Sequence, residues 1–194
     1  MKKLFTYLFF LFVLQANAQS PGGVSANHIF WLKGDAGVSP STNGSTITSW
    51  DDQVNSNDAT PSGTAPTYFS NLLNYNPGIE FSATSGGLTI GNDAGINLAT
   101  NSEKSYSIAF TTGSDINTRQ LIFEEGGGTH GLNIYILGGE LYTNLWVSSA
   151  DNANSITWDF GNGQTSTQAN SSSGVPSYSV NDATYPTYQV CLTV

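Results

Sequence analysis

The chain has 194 residues, 38% of them hydrophobic and only 10% charged, with 5 Lys/Arg against 14 Asp/Glu and a formal net charge of −9. A balance this acidic is repelled by phosphate backbones and by anionic lipid, which argues against nucleic-acid and membrane-surface partners. Polarity comes instead from Ser, Thr, Asn, Gln and Gly, and the 21 glycines and 7 prolines fit short strands joined by turns.

The first predicted element is a targeting segment. Lys2 and Lys3 form a basic start, Leu4 to Leu14 is almost unbroken apolar sequence, and Gln15-Ala16-Asn17-Ala18 supplies small residues where a signal peptidase reads. This order predicts a signal peptide over 1–18 and a mature chain that begins at Gln19. The rival reading is a membrane anchor, but the apolar run falls short of the ~20 residues a helix needs to cross a bilayer. Cleavage would leave Lys33, Lys104 and Arg119 as the only Lys or Arg beside 14 acidic residues. No later segment is apolar enough to span a bilayer, so the mature chain is expected to be secreted or held at the cell surface without inserting.

Beyond the leader, period-two alternation recurs and helical spacing does not. Strands are predicted at 29–33, 47–51, 78–81, 88–90, 106–112, 120–124, 132–137, 140–147, 156–160 and 188–194, separated by clusters of Gly, Asn, Asp, Ser and Pro. That pattern predicts an all-β protein built as an antiparallel sandwich. Two hairpins stand out. Gly138-Gly139 fits a two-residue turn with positive φ at both positions, which sets Ile136 opposite Leu141, Ile134 opposite Thr143 and Leu132 opposite Leu145 on an apolar side. The other side then carries Tyr135 opposite Tyr142 and Asn133 opposite Asn144, with Trp146 just beyond. The second hairpin runs from Trp158 to Gln164 around Asn162-Gly163.

Several of these stretches carry family resemblances. I-F-W-L-K-G-D-A-G-V at 29–38, I-T-S-W-D-D at 47–52, N-D-A-T at 57–60, A-P-T-Y at 65–68, P-G-I-E-F at 77–81 and Q-L-I-F-E-E-G-G-G-T-H-G-L-N-I-Y-I at 120–136 occur in order. Together they make residues 19–154 resemble the laminin-G-like, concanavalin A-type lectin/glucanase domain of large bacterial surface proteins. W-D-F-G-N-G at 158–163 and Y-Q-V-C-L-T-V at 188–194 make residues 155–194 resemble the later part of a PKD repeat, an immunoglobulin-like sandwich. Each resemblance covers part of its module: later strands of the first and opening strands of the second have no counterpart. The resemblances imply a concanavalin A-like jelly roll, incomplete at its C-terminal side, followed by a partial PKD-like segment. The apolar row Tyr188, Val190, Leu192 and Val194 needs cover, so the two segments are expected to pack as one unit, with the closing strand filling a place in the first module. Cys191 is the only cysteine, and an odd cysteine in an exported chain is a free thiol or an intermolecular link.

Catalytic patterns are missing from the sequence. Glucanases of the resembling fold carry three carboxylates on one strand face as Glu-x-Asp-x-x-Glu. Glu124 and Glu125 are adjacent and would point to opposite faces of a strand. His130 reads as a solvated turn residue, and neither a nucleophile elbow nor a zinc spacing is present. No enzymatic activity and no cofactor are expected, with calcium the one ion the resemblance brings into question. Asp51, Asp52 and Asp58 supply hard oxygen donors suited to calcium, in a loop with Asn55 and Asn57. Asp and Asn are equally the ordinary residues of turns, and the turn reading is preferred.

The best binding candidate is the outer side of the Gly138-Gly139 hairpin. Asn133, Tyr135, Tyr142, Asn144 and Trp146 mix flat aromatic surface with amide donors and acceptors, as sugar recognition requires. The expected function is a non-catalytic adhesion module for an extracellular glycan or a surface protein. A structural spacer of a surface filament is the alternative, and a glycosidase a distant third.

Overall fold

A computed structural model describes residues 26–82, 86–99, 104–126 and 131–146, together with the backbone of four later strands. The predicted signal peptide, His130 and the Asn162-Gly163 turn lie outside the described residues. The protein is all-β with antiparallel pairing; among the described residues the one helical element is a single π-type turn, Ala94–Leu98. Among the described residues no helix is long and apolar enough to cross a membrane.

The described residues between 26 and 99 form small two-stranded pairs tied together by loops. Val38–Ser39 (β1) pairs with Ser49–Trp50 (β2), Thr60–Ser62 (β3) with Gly87–Thr89 (β6), and Thr67–Leu73 (β4) with Asn76–Glu80 (β5). The expected strand at 29–33 is not formed. Its backbone is tied to the loop after β2: the Trp31 amide donates to Asp52 Oδ1 at 2.8 Å and the Trp31 carbonyl accepts from Gln53 at 2.9 Å. The Ile29 carbonyl accepts from Asn55 Nδ2 at 2.7 Å. A stretch whose backbone groups are satisfied by side chains and loop amides has no need of a ladder.

Two four-stranded sheets follow. The first has the order β13-β10-β9-β8, made of Gln120–Gly126 (β8), Gly131–Leu137 (β9), Glu140–Trp146 (β10) and Ser177–Ser179 (β13). The second has the order β12-β11-β14-β7, made of Ser105–Phe110 (β7), Ser155–Asp159 (β11), Thr165–Ala169 (β12) and Tyr188–Thr193 (β14). Both sheets therefore mix strands from before and after residue 154. β14 lies against β7 with Tyr188 opposite Phe110, Val190 opposite Ile108 and Leu192 opposite Tyr106.

The inner face of β9 and β10 is a buried apolar cluster. Leu132, Ile134, Ile136 and Leu141 are at most 1% exposed, and Tyr106, Ile108 and Phe110 of β7 pack against them with Ile116, Ile122 and Phe123. The register is the expected one, Ile136 to Leu141 and Ile134 to Thr143, closed by Gly138 and Gly139 at φ 61° and 81°. Thr143 is buried in this apolar row, and its hydroxyl donates to the Asn133 carbonyl at 2.9 Å. At the later hairpin Asp159 pairs with Thr165, leaving residues 160–164 between them, one residue away from the register of a two-residue Asn162-Gly163 turn.

Candidate functional site

Strand alternation places the candidate residues on one surface. Asn133 and Tyr135 leave β9 on the side opposite Ile134 and Ile136, and β10 sets Asn144 and Tyr142 directly across from them. Trp146 occupies the next register position on that side, across from Gly131; its side chain lies outside the described residues. The Tyr135 and Tyr142 rings stack with centroids 5.2 Å apart and planes 12° apart. Asn144 Nδ2 donates to Asn133 Oδ1 at 3.2 Å and reaches the Tyr135 hydroxyl at 3.5 Å. The four side chains form one connected patch, two rings side by side and two amides at their edge.

One neighbour was not legible in the sequence. The Arg119 guanidinium lies 4.7 Å from the centroid of the Tyr135 ring. It arrives from the β8 side of β9, whereas Tyr142 stands on the β10 side. Both faces of Tyr135 are therefore occupied, and Tyr142 beyond it is half-buried, with the Ser177 position of β13 as its next strand neighbour.

The segment that carries Arg119 is firmly held. Asp115 Oδ1 accepts from the amides of Asn117 and Thr118, each at 3.0 Å, and Gln120 Nε2 donates to the Asp115 carbonyl. The Thr118 amide, then its hydroxyl, then the Asn117 amide hold the Asp115 carboxyl below its ordinary value. Ile116 packs on the core, and the turn amides of Gly138 and Gly139 donate to the carbonyls of Asn117 and Ile116 at 3.2 and 2.9 Å. The loop before β8 and the tip of the β9–β10 hairpin are thus one structure. Asp followed by Asn and Thr is the signal for such a turn, yet the sequence gives no hint of where the loop docks.

The glutamates of β8 separate as their adjacency requires. Glu124 is exposed on the outer side, across from Asn133, while Glu125 turns inward, across from Leu132. Glu125 Oε1 accepts from Lys104 Nζ at 2.9 Å and from the Tyr106 hydroxyl, and Lys104 also donates to the Ile96 carbonyl. Burial, followed by the Glu125 hydrogen bond and charge, raises the Tyr106 hydroxyl far above the ordinary tyrosine range, so it remains a donor. This trio ties the π-type turn to β7 and β8, which suits a structural link better than proton transfer.

Asp51, Asp52 and Asp58 are near in sequence but not gathered around one point. Asp52 is buried, and its two oxygens accept amides of Trp31, Val54, Asn55 and Asn57. Asp58 Oδ1 accepts the Asp52 amide at 2.9 Å, and Asp51 Oδ1 accepts from the Ser49 hydroxyl at 3.0 Å. Each carboxylate is engaged in shaping the loop. Among the described residues no three His, Cys, Asp or Glu side chains are grouped so that they could hold a metal ion. In the loop after β6, Asp93 caps the π-type turn through the Gly95 amide at 2.7 Å, and Asn97 bridges to Asn92 at 2.8 Å.

Compared with protein-family models, with curated proteins and with solved structures, the chain finds no match in any of the three.

Proposed function

We propose that the chain is a secreted, non-catalytic adhesion module that binds an extracellular glycan on the outer side of the β8–β9–β10 sheet. The observation that carries this reading is the patch itself: the half-buried Tyr142 ring stacked on Tyr135, with the Asn144 amide bonded to the buried Asn133 amide beside it. A pyranose presents an apolar C–H face to a ring and hydroxyls to amides, so this arrangement meets both needs at once. Export is supported by the basic, apolar and small-residue order of residues 1–18.

The architecture proposed for the module is a concanavalin A-like sandwich completed by the PKD-like segment. Its support is the packing of Tyr106, Ile108 and Phe110 from one sheet on the inner face of the other, and the pairing of β14 with β7. The family assignment rests on the quoted sequence motifs.

One observation favours the spacer reading instead: Tyr135 has both ring faces taken within the chain, leaving less aromatic surface than the sequence promised. A glycan array probed with the mature chain and with Tyr142→Ala separates the two. Retention that disappears in the variant is the expected result. No retention of the mature chain on any glycan would leave the spacer reading in place.

A further inference from the structure

We infer that this face selects sugars bearing a single carboxylate, and that Arg119 is the residue that recognises it. The inference rests on the glycan-binding reading and narrows its ligand class.

Three basic side chains lie beyond the predicted leader, and two are already engaged. Lys33 pairs with Asp35 at 3.3 Å and Lys104 with Glu125 at 2.9 Å. Arg119 is the Lys or Arg without a carboxylate partner among the described residues, and it is exposed. Its guanidinium carbon lies 4.7 Å from the centroid of the Tyr135 ring, a cation–π contact that does not itself use the hydrogen-bonding capacity of the N–H groups. A guanidinium presents those groups as a planar fork matched to a carboxylate, where two parallel hydrogen bonds form.

The cation is also pre-positioned. Asp115, Ile116 and the Gly138 and Gly139 amides fix the loop just before it. A guanidinium held in place loses less entropy on binding than one on a free surface side chain. Arg119 in the loop before β8, Tyr135 on β9 and Tyr142 on β10 form a row, with spacings of 4.7 and 5.2 Å. A glycan lying along that row can rest one sugar against Tyr142 while an acidic sugar further along reaches Arg119.

The same face limits how much negative charge it accepts. Glu140 stands across from Leu137 at the turn end of the hairpin, and Glu124 across from Asn133 toward the other end. Both are on the outer side, so they bracket the row with negative charge. A polyanion running along the strands meets one or both, whereas a lone carboxylate at Arg119 meets neither directly.

The test uses the mature chain on an array of paired glycans that differ only in a terminal glucuronyl or glucosyl residue, with polygalacturonate alongside. The expected result is at least about tenfold tighter retention of the glucuronyl member, a typical worth for a charge-assisted contact. Polygalacturonate should be retained no better than that member. Arg119→Gln should bring the two members of each pair level without lowering the melting temperature. Arg119→Lys, which keeps the charge but loses the fork, should fall between them and serves if the first variant folds poorly. Equal retention of both members by the unsubstituted chain overturns the carboxylate inference and leaves the adhesion reading standing. Tighter retention of polygalacturonate overturns the single-charge claim, and no retention on any glycan overturns both readings.

Discussion

The two sides of the β9–β10 hairpin are built from alternate residues of the same strands, yet they do different work. On one side Leu132, Ile134, Ile136 and Leu141 are buried against the other sheet. On the other, Asn133, Tyr135, Tyr142 and Asn144 contact one another. Because side chains alternate strictly, a change on one side leaves the partner surface nearly untouched. Under the proposed function, stability and recognition are separable here at the level of odd and even positions. Substitutions offer direct ways to break that separation.

The largest effect is expected from removing residues 155–194, which takes β11 to β14 away. β7 would lose its paired neighbour β14 and β10 its neighbour β13, leaving both strands with unpaired edges. Residues 19–154 alone should show no cooperative thermal transition, or should aggregate, when followed by circular dichroism. Next in size, Ile134→Ala on the inner side should destabilise the fold by ~2–5 kcal/mol in chemical denaturation, with ligand preference unchanged in the material that remains folded. Gly138→Ala comes third. Its added Cβ would meet nothing within 4 Å, so the penalty is that of φ 61° alone, about 1–2 kcal/mol.

On the outer side, Tyr142→Ala removes a stacked ring and should lower stability by only ~0.5–1.5 kcal/mol while abolishing glycan retention. The smallest effect belongs to Asp115. Its carboxyl is held below the ordinary value, so its contribution is complete above the unfolded pKa of ~3.9 and fades as pH falls through the lowered folded value. Melting curves of Asp115→Ala and the unsubstituted chain should differ slightly at neutral pH and converge at the acid end.

What the sequence made legible follows from where strong local chemistry coincides with burial. Gly138-Gly139 flanked by alternating apolar residues fixes one turn and one register, and that hairpin forms as read. The β4–β5 hairpin escaped the same reading. Its two-residue turn is Asn74-Tyr75 at φ 48° and 64°, and a tyrosine in the left-handed region is a turn residue that no composition rule anticipates. β12 and β13 escaped for another reason. Both are sheet edges, and Thr165–Ala169 and Ser177–Ser179 lack the apolar alternation that marks a strand with cover on one face.

The candidate patch was legible in four of its members because register follows from the turn. Arg119 was not, since its place over Tyr135 depends on a loop docking to the hairpin tip from outside the strand pattern. The Asp51–Asp58 loop shows the converse limit. Its composition is that of a calcium loop and of a tight turn alike, and only the partners of Asp52 reveal a carboxylate filled by backbone amides.

The central claim, that one side of this hairpin holds the fold and the other holds a glycan, is tested most directly by one paired measurement. Glycan-array retention and melting temperature would be recorded for the mature chain, Ile134→Ala and Tyr142→Ala under the same conditions. The account predicts a large fall in melting temperature for Ile134→Ala with its glycan preference kept, and lost retention for Tyr142→Ala with a melting temperature close to that of the parent. Undiminished retention in Tyr142→Ala, or equal losses of stability in both variants, would contradict it.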